Sequence, residues 1–138
     1  MELEVKHLAP YLPYGLKLQY VVREKVEQTG IMQSISHNED ETHPTRVSIS
    51  AMYNAEYIWM FKPMLRRKTH LKTLQSEILI RWGGGLADRA KAQWLKEITD
   101  DMQHSSFNSL RYDFVEFMLE NHIDVFGLID AGLAVEME

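Results

Sequence analysis

Alternating apolar and polar residues predict β-strands in the first half of the chain. Residues 15–23 alternate in this way, which is typical of a half-buried strand. The patterns of residues 31–35 and 46–53 predict two further strands, and the polar stretch 36–44 between them predicts an antiparallel hairpin with a long tip. A fourth extended segment, 57–61, is strongly apolar, so we expect a small curled sheet of about four strands.

After residue 86 the apolar period lengthens from two residues to the spacing of a helix. Apolar residues from Leu86 to Met102 follow i, i+4 steps and predict an amphipathic helix of about five turns. A second amphipathic helix, capped by Ser106 or Asn108, continues to about Asn121.

The last stretch of the chain carries the signals of a short helix and an edge strand. Asp124 is the predicted N-cap of this short helix, and Gly132 is the predicted left-handed residue that ends it. Residues 133–136 then predict an edge strand. At the other end, segment 8–15 contains two prolines, which predict an irregular lid whose aromatic residues pack on the core.

The order of strands before helices indicates an α+β fold. We expect a small antiparallel N-terminal sheet of about four strands, packed by two C-terminal amphipathic helices and a short terminal helix. The 138 residues fit one domain spanning 1–138, in which residues 1–65 are rich in strands and residues 86–132 are helical.

The composition limits the kinds of functional site that this chain can form. The chain has no cysteine, which excludes disulfide scaffolds, thiolate zinc sites and cysteine nucleophiles. His37 and His43 share a loop with carboxylates, but without a recognised ligand spacing. We therefore predict no metal site, no cofactor and no catalytic residues. The beginning of the sequence lacks the pattern of a secretion signal, and no apolar run is long enough to span a bilayer, so we expect an intracellular protein.

Charge is unevenly distributed along the chain. Residues 46–96 contain ten Lys and Arg against three Asp and Glu, a balance of +7, whereas residues 97–138 contain one against ten, a balance of −9. Such asymmetry is typical of a charged interaction surface, or of two segments that neutralise each other on packing.

Two sets of charged residues are candidate binding sites. The first is an acidic ridge on the C-terminal helices, which is either a solvated face or a docking surface for a basic partner. The second is a basic segment near Trp59, which is either a solvated turn that pairs with the acidic helices or a nucleic-acid site. The acidic ridge consists of Asp113, Glu116, Glu120 and Asp124, and the basic segment contains Lys62, Arg66, Arg67, Lys68 and Lys72.

Three stretches of sequence carry a family resemblance: Leu-Ala-Pro-Tyr-Leu-Pro-Tyr-Gly-Leu-Lys at 8–17, Phe-Lys-Pro-Met-Leu-Arg at 61–66, and Asn-His-Ile-Asp-Val-Phe-Gly-Leu-Ile-Asp-Ala-Gly-Leu-Ala at 121–134. Together they resemble a family of short, functionally uncharacterised proteins carried by phages, prophages and other mobile elements of Bacteroides and its relatives. After residue 66 this family tends to continue with Pro and Leu-Ser, whereas Arg67 and Lys68 follow here. The resemblance implies a phage-encoded protein that acts in the cytoplasm of a bacterial host.

Three functions are compatible with these patterns. The leading hypothesis is a noncatalytic interaction protein that binds a host or phage protein, such as a defence nuclease inhibited by an acidic face standing in for phosphates. The first alternative is a nucleic-acid-associated phage accessory protein that uses the basic segment 62–72. The second alternative is an oligomeric structural or assembly component, in which the eight methionines and the apolar run 57–61 form the subunit interface.

Overall fold

The computed structural model describes residues 2–39, 42, 45–50, 52 and 54–137. Its secondary structure alternates short helices with strands before residue 66 and consists of helices joined by short loops from 68 to 120. The strands are β1 Lys17–Val22, β2 Lys25–His37, β3 Thr45–Ile49, β4 Glu56–Tyr57, β5 Phe61–Leu65 and β6 Val135–Glu136. The α-helices are α1 Val5–Leu8, α2 Gln75–Trp82, α3 Asp88–His104 and α4 Tyr112–Glu120, and 3-10 helices span Ala9–Tyr14, Ile58–Met60, Lys68–Leu74 and Phe107–Ser109.

The predicted α+β class is confirmed, with an N-terminal sheet and C-terminal helices. The described strands form one sheet in the order β4-β3-β2-β1-β5-β6. Every pairing is antiparallel except that between β5 and β6, which is parallel. The sheet is therefore mixed and has six strands rather than about four, because two-residue strands are added at both edges. One of these, β6, is the edge strand predicted from residues 133–136.

The sheet is strongly curled because β2 serves two partners with different halves. Its first half pairs with β1 and its second half with β3, with a register shift between Met32 and Ser34. Strand β4 leads through only three residues, Ile58–Met60, into β5. In a flat sheet, β4 and β5 would lie roughly 19 Å apart, which a single 3-10 turn cannot span. The 3-10 turn Ile58–Met60 packs against both β1 and β3, so the curl brings β4 and β5 together.

The β1–β2 turn explains why β2 begins earlier than the alternation pattern suggested. Arg23 and Glu24 both have positive φ, 52° and 68°, and the register pairs Val22 with Lys25 across them. This is the geometry of a two-residue primed turn, whose twist matches that of the flanking strands. Glycine or asparagine normally signals such a turn, and their absence hides it in the sequence.

The core is one cluster of buried side chains from the strands and the helices. Leu18, Ile49 and Phe61 contribute from the strands, and Phe114 and Met118 contribute from α4; all five are at most 4% exposed. Helix α3 packs on α2 and on the 3-10 helix Lys68–Leu74. It buries only Thr99 and Met102, so most of its surface faces solvent.

Several local predictions were wrong. The predicted strand 57–61 is not continuous: Tyr57 ends β4, residues 58–60 form a 3-10 turn, and β5 begins at Phe61 and includes Pro63. Segment 8–15 is not irregular, because Pro10 sits in the first turn of a 3-10 helix, where its missing N–H costs no internal bond. Neither Ser106 nor Asn108 caps α4, which begins after Arg111.

Parts of the predicted hairpin lie outside the described residues. They are the end of its second strand, at residues 51 and 53, and much of its tip, including His43.

Two regions near the C-terminal half differ in their helices from the prediction. Residues 66–85, for which no element was predicted, form the 3-10 helix Lys68–Leu74 and helix α2. The predicted third helix is one hydrogen-bonded turn, closed by bonds from Leu133 N to Leu128 O and from Gly132 N to Ile129 O. Gly132 has a left-handed φ of 77°, as predicted.

Gly30 gives a stability prediction because the side chains of Ile49 and Ser50 lie directly against it. A Cβ at this position would lie 2.9 Å from Ser50 Oγ and 3.3 Å from Ile49 Cβ, and Ser50 Oγ accepts a hydrogen bond from Ile31 N. Gly30→Ala should therefore lower the free energy of unfolding by about 2 kcal/mol, measured by urea denaturation. Gly84→Ala is the matched control, since a Cβ there meets no atom within 4 Å, and it should be neutral or slightly stabilising. Equal effects of the two changes would contradict the close approach.

Candidate functional site

Tyr11 fixes the N-terminal 3-10 helix against the C-terminal segment of the chain. Its side chain is fully buried. The hydroxyl donates to the carbonyl of Ile123 and accepts from the backbone N–H of Val125 at 3.2 Å. Burial strongly raises the pKa of this phenol, so it stays neutral and holds both bonds.

The end of α4 holds the neighbouring tyrosine of the same 3-10 helix. Hydrogen bonds from Ile123 N to Met118 O and from His122 N to Leu119 O close the helix in a Schellman motif. His122 occupies its left-handed position with φ of 56°. From there the His122 ring donates from Nε2 to the carbonyl of Tyr14 at 2.8 Å. The backbone of Tyr14 is thus tied to the helix it faces.

An open groove of about 430 Å³ lies between the 3-10 helix Ala9–Tyr14 and α4. We call it the tyrosine groove. Tyr112, at the first position of α4, is 79% exposed, and Glu116 lies one helical turn further along. The main lining residues are Pro10, Pro13, Tyr14, Tyr112, Val115 and Glu116. The groove is therefore apolar and aromatic, with one carboxylate among its lining residues.

Two members of the predicted acidic ridge are used within the fold. Asp113 accepts hydrogen bonds from Trp82 Nε1 at 3.0 Å and from Arg111 Nη2 at 2.7 Å. Glu120 pairs with Arg81 Nη2 at 3.1 Å. Both carboxylates thereby hold the end of α2 on α4, where the ring of Trp82 also packs edge-on against that of Phe114.

Asp124 does not belong to an exposed acidic face, which corrects the prediction that it binds a partner. It is 6% exposed, and its two carboxylate oxygens accept the backbone N–H groups of Leu128 and Ile129, both at 2.8 Å. The sequence correctly indicated a capping residue here, but the bonds reach four and five residues ahead instead of starting a regular helix. Its role is structural.

Glu116 is the ridge residue left for a partner. It is partly buried, and within the described residues it forms no salt bridge. Burial and, after it, the charge of Glu116 raise the pKa of Tyr14, which places the carboxylate within electrostatic reach of that ring.

The basic segment does not form one cationic surface. Arg67 pairs with Asp130 at 2.6 Å and with Glu136 at 3.1 Å. For this residue, the basic segment therefore pairs with acidic C-terminal residues, which was one of the two interpretations of the sequence. Arg66 donates to the carbonyl of Asn121 at 3.1 Å. Lys68 points to the carbonyl of Ser105 at 3.5 Å. Lys62 on β5 and Lys72 on the 3-10 helix Lys68–Leu74 remain exposed to solvent, on different elements.

A second cavity, of about 480 Å³, lies where the 3-10 turn Ile58–Met60 meets residues 2–3 and 132–133. We call it the Trp59 cavity. Trp59 is 61% exposed, and its ring stacks on that of Tyr57 with a centroid distance of 6.0 Å and an interplanar angle of 11°. The guanidinium of Arg46 lies 4.7 Å from the centroid of the Tyr57 ring. Of the predicted basic residues, only Lys62 lines this cavity.

The sequence patterns do not indicate that Tyr14 and Tyr112 share a surface site. The signal that was available is weak: two prolines and a tyrosine that precede Gly15, and a tyrosine four residues before Glu116. Only the packing of the 3-10 helix on α4 brings them together.

The apolar run 57–61, which forms the subunit interface under the oligomer hypothesis, is partly buried in the core of this chain. Ile58 is 9% and Phe61 is 2% exposed, and within this run Trp59 is the large hydrophobic residue that is exposed. Buried methionines such as Met32, Met102 and Met118 belong to the core.

No protein-family model, no curated protein and no solved structure matches the chain. None of the helices among the described residues combines the length and apolar character needed to cross a bilayer. Among the residues that the structure describes, no three His, Asp or Glu side chains lie close enough together to hold a metal ion.

Proposed function

We propose that this chain is a noncatalytic interaction protein that binds a basic segment of a host or phage protein in the tyrosine groove. The observation that carries the proposal is the position of Glu116, a carboxylate without a salt bridge in the described structure, in a groove walled by two tyrosines. The setting inside a bacterial cell, in a phage or mobile element, comes from the family resemblance.

The groove favours an arginine or lysine side chain as its occupant. The aliphatic stem of such a side chain packs on prolines and aromatic rings, and its cation is attracted both to the faces of Tyr14 and Tyr112 and to the carboxylate of Glu116. The −9 balance of residues 97–138 adds a long-range attraction for a basic partner. Both tyrosines lose little conformational entropy on binding, since each has only two side-chain torsions.

Inhibition of a nuclease by phosphate mimicry is not included in this proposal. A mimic of a phosphate row needs several adjacent carboxylates that are accessible to the enzyme. Of the four ridge residues, Asp113 and Glu120 are bound to α2 or Arg111, and Asp124 is buried. The ridge therefore presents one carboxylate at a groove instead of a row.

Selection from a bead-displayed library of random twelve-residue peptides tests the proposal. We expect the selected peptides to share an arginine or lysine next to apolar residues. Glu116→Gln should weaken their binding about tenfold, because it removes a partly buried charge pair of about 1.4 kcal/mol. Affinities are measured by fluorescence anisotropy of the labelled peptides.

Glu77→Gln on α2 is the matched control, because it removes an exposed helical carboxylate elsewhere. It should leave the affinity unchanged. Selected peptides without basic residues, or equal affinities for the wild type and Glu116→Gln, would overturn the proposal. Capture from a bacterial lysate, with and without nuclease, then identifies the natural partner as the protein whose retention depends on Glu116.

A further inference from the structure

The Trp59 cavity has the size and lining of a small-ligand site and is separate from the tyrosine groove. Its volume of about 480 Å³ is within the range of ligand pockets, which are mainly apolar with a few polar groups. Leu3, Ile58, Phe61 and Leu133 give it an apolar lining, and three of these four are among the buried core residues. Its floor is therefore a fixed element of the fold.

The wall of this cavity is an aromatic surface formed by Trp59. Tyr57 contacts both the guanidinium of Arg46 and the ring of Trp59, and Arg46 Nη2 donates a hydrogen bond to the Tyr57 hydroxyl at 3.4 Å. Stacking on Tyr57 orients a tryptophan that is still 61% exposed. A large aromatic surface in contact with solvent is the usual platform for a second planar ring.

Lys62 places a cation at this cavity. It is the cation among the described lining residues, and its partner across the β1–β5 pairing is the uncharged Gln19. The lining also contains one carboxylate, Glu2, whose charge opposes an anion.

We infer that the Trp59 cavity binds a planar aromatic ring that carries an anionic group, the chemistry of a nucleotide. The base packs against Trp59 and the apolar lining, and the phosphate lies at Lys62. A free mononucleotide and a nucleotide within a single strand present the same ring and the same charge.

Binding of thymidine monophosphate and of a ten-residue oligo(dT), at about 50 mM salt, tests this inference. The mononucleotide is titrated by calorimetry and the labelled oligomer by anisotropy. Trp59→Ala should weaken binding about tenfold or more, since a base stacked on an aromatic side chain contributes about 1–3 kcal/mol. Lys62→Gln should weaken it and reduce the salt dependence of the oligomer by one phosphate, a slope change of about 0.7. Glu2→Gln should strengthen binding.

Lys72→Gln and Glu116→Gln are the matched controls, and both should bind like the wild type. Saturation by the mononucleotide assigns the site to a free nucleotide, and saturation by the oligomer alone assigns it to a strand. The inference is wrong if neither ligand saturates, if Trp59→Ala binds like the wild type, or if Lys72→Gln loses as much affinity as Lys62→Gln. Because Glu116 lies outside this cavity, failure here leaves the tyrosine groove untouched.

Discussion

Tyr11→Phe is expected to lower the free energy of unfolding by about 3 kcal/mol. The change keeps the ring but removes the hydroxyl that bonds the carbonyl of Ile123 and the N–H of Val125. Both backbone groups then stay buried without a partner, and each such group costs about 1–3 kcal/mol. Urea denaturation followed by circular dichroism measures the change as a lower midpoint with an unchanged slope.

Tyr112→Phe is the matched control for Tyr11→Phe. The same hydroxyl is removed from a side chain that is 79% exposed, so stability should change by no more than about 0.5 kcal/mol. If both variants were equally stable, the hydroxyl of Tyr11 would not connect the two ends of the fold as the structure has it.

Asp124→Ala is expected to cost a similar amount, about 3 kcal/mol, and to lower the melting temperature by roughly 10 °C. The carboxylate receives two backbone N–H groups at 2.8 Å in a buried position, and bonds to a charged acceptor are about twice as strong as neutral ones. Asp124→Asn keeps one acceptor oxygen and should lose less. Differential scanning calorimetry of the three proteins gives the order.

Asp130→Asn is the control for Asp124→Ala, because it removes a negative charge of the same chain without removing a buried carboxylate. Asp130 is exposed and pairs with Arg67 at the surface, where a salt bridge contributes at most about 1 kcal/mol. If Asp124→Ala were as stable as Asp130→Asn, Asp124 would not have the buried structural role described here, and the exposed ridge suggested by the sequence would be the better interpretation.

The elements with a clear period were predictable from the sequence. Strand β1, the β2–β3 hairpin and helix α3 follow their apolar spacing, because in each case one face meets the core and the other meets water. Segment 66–85 was missed because it begins with a 3-10 helix, in which side chains repeat every three residues. The predicted strand 57–61 was wrong because its apolar residues fill the closing turn of the curled sheet as well as β5.

The candidate site was only partly predictable. Helical spacing correctly places Glu116 and Glu120 on α4, but spacing alone does not show which carboxylate already has a partner. That depends on α2, which brings Arg81 and Trp82 to the ridge from a region without a predicted helix. In the same way, the sequence does not distinguish Lys62 from Arg67 as a binding cation. They differ in the fold because Asp130 and Glu136 form salt bridges with Arg67.

The parallel pairing of β6 with β5 has a consequence for the nascent chain. Strand β5 is paired on one side with β1. Within the described residues, its other side is paired with β6, with the N–H of Met137 and, just past its end, through the bridge from Arg66 to Ile123. On the ribosome, the sheet is therefore synthesised long before this edge is closed. An uncovered strand edge recruits other chains, and incompletely folded intermediates aggregate through such edges. A polypeptide whose translation stalls before residue 123 should thus be a preferred substrate for chaperones and proteases.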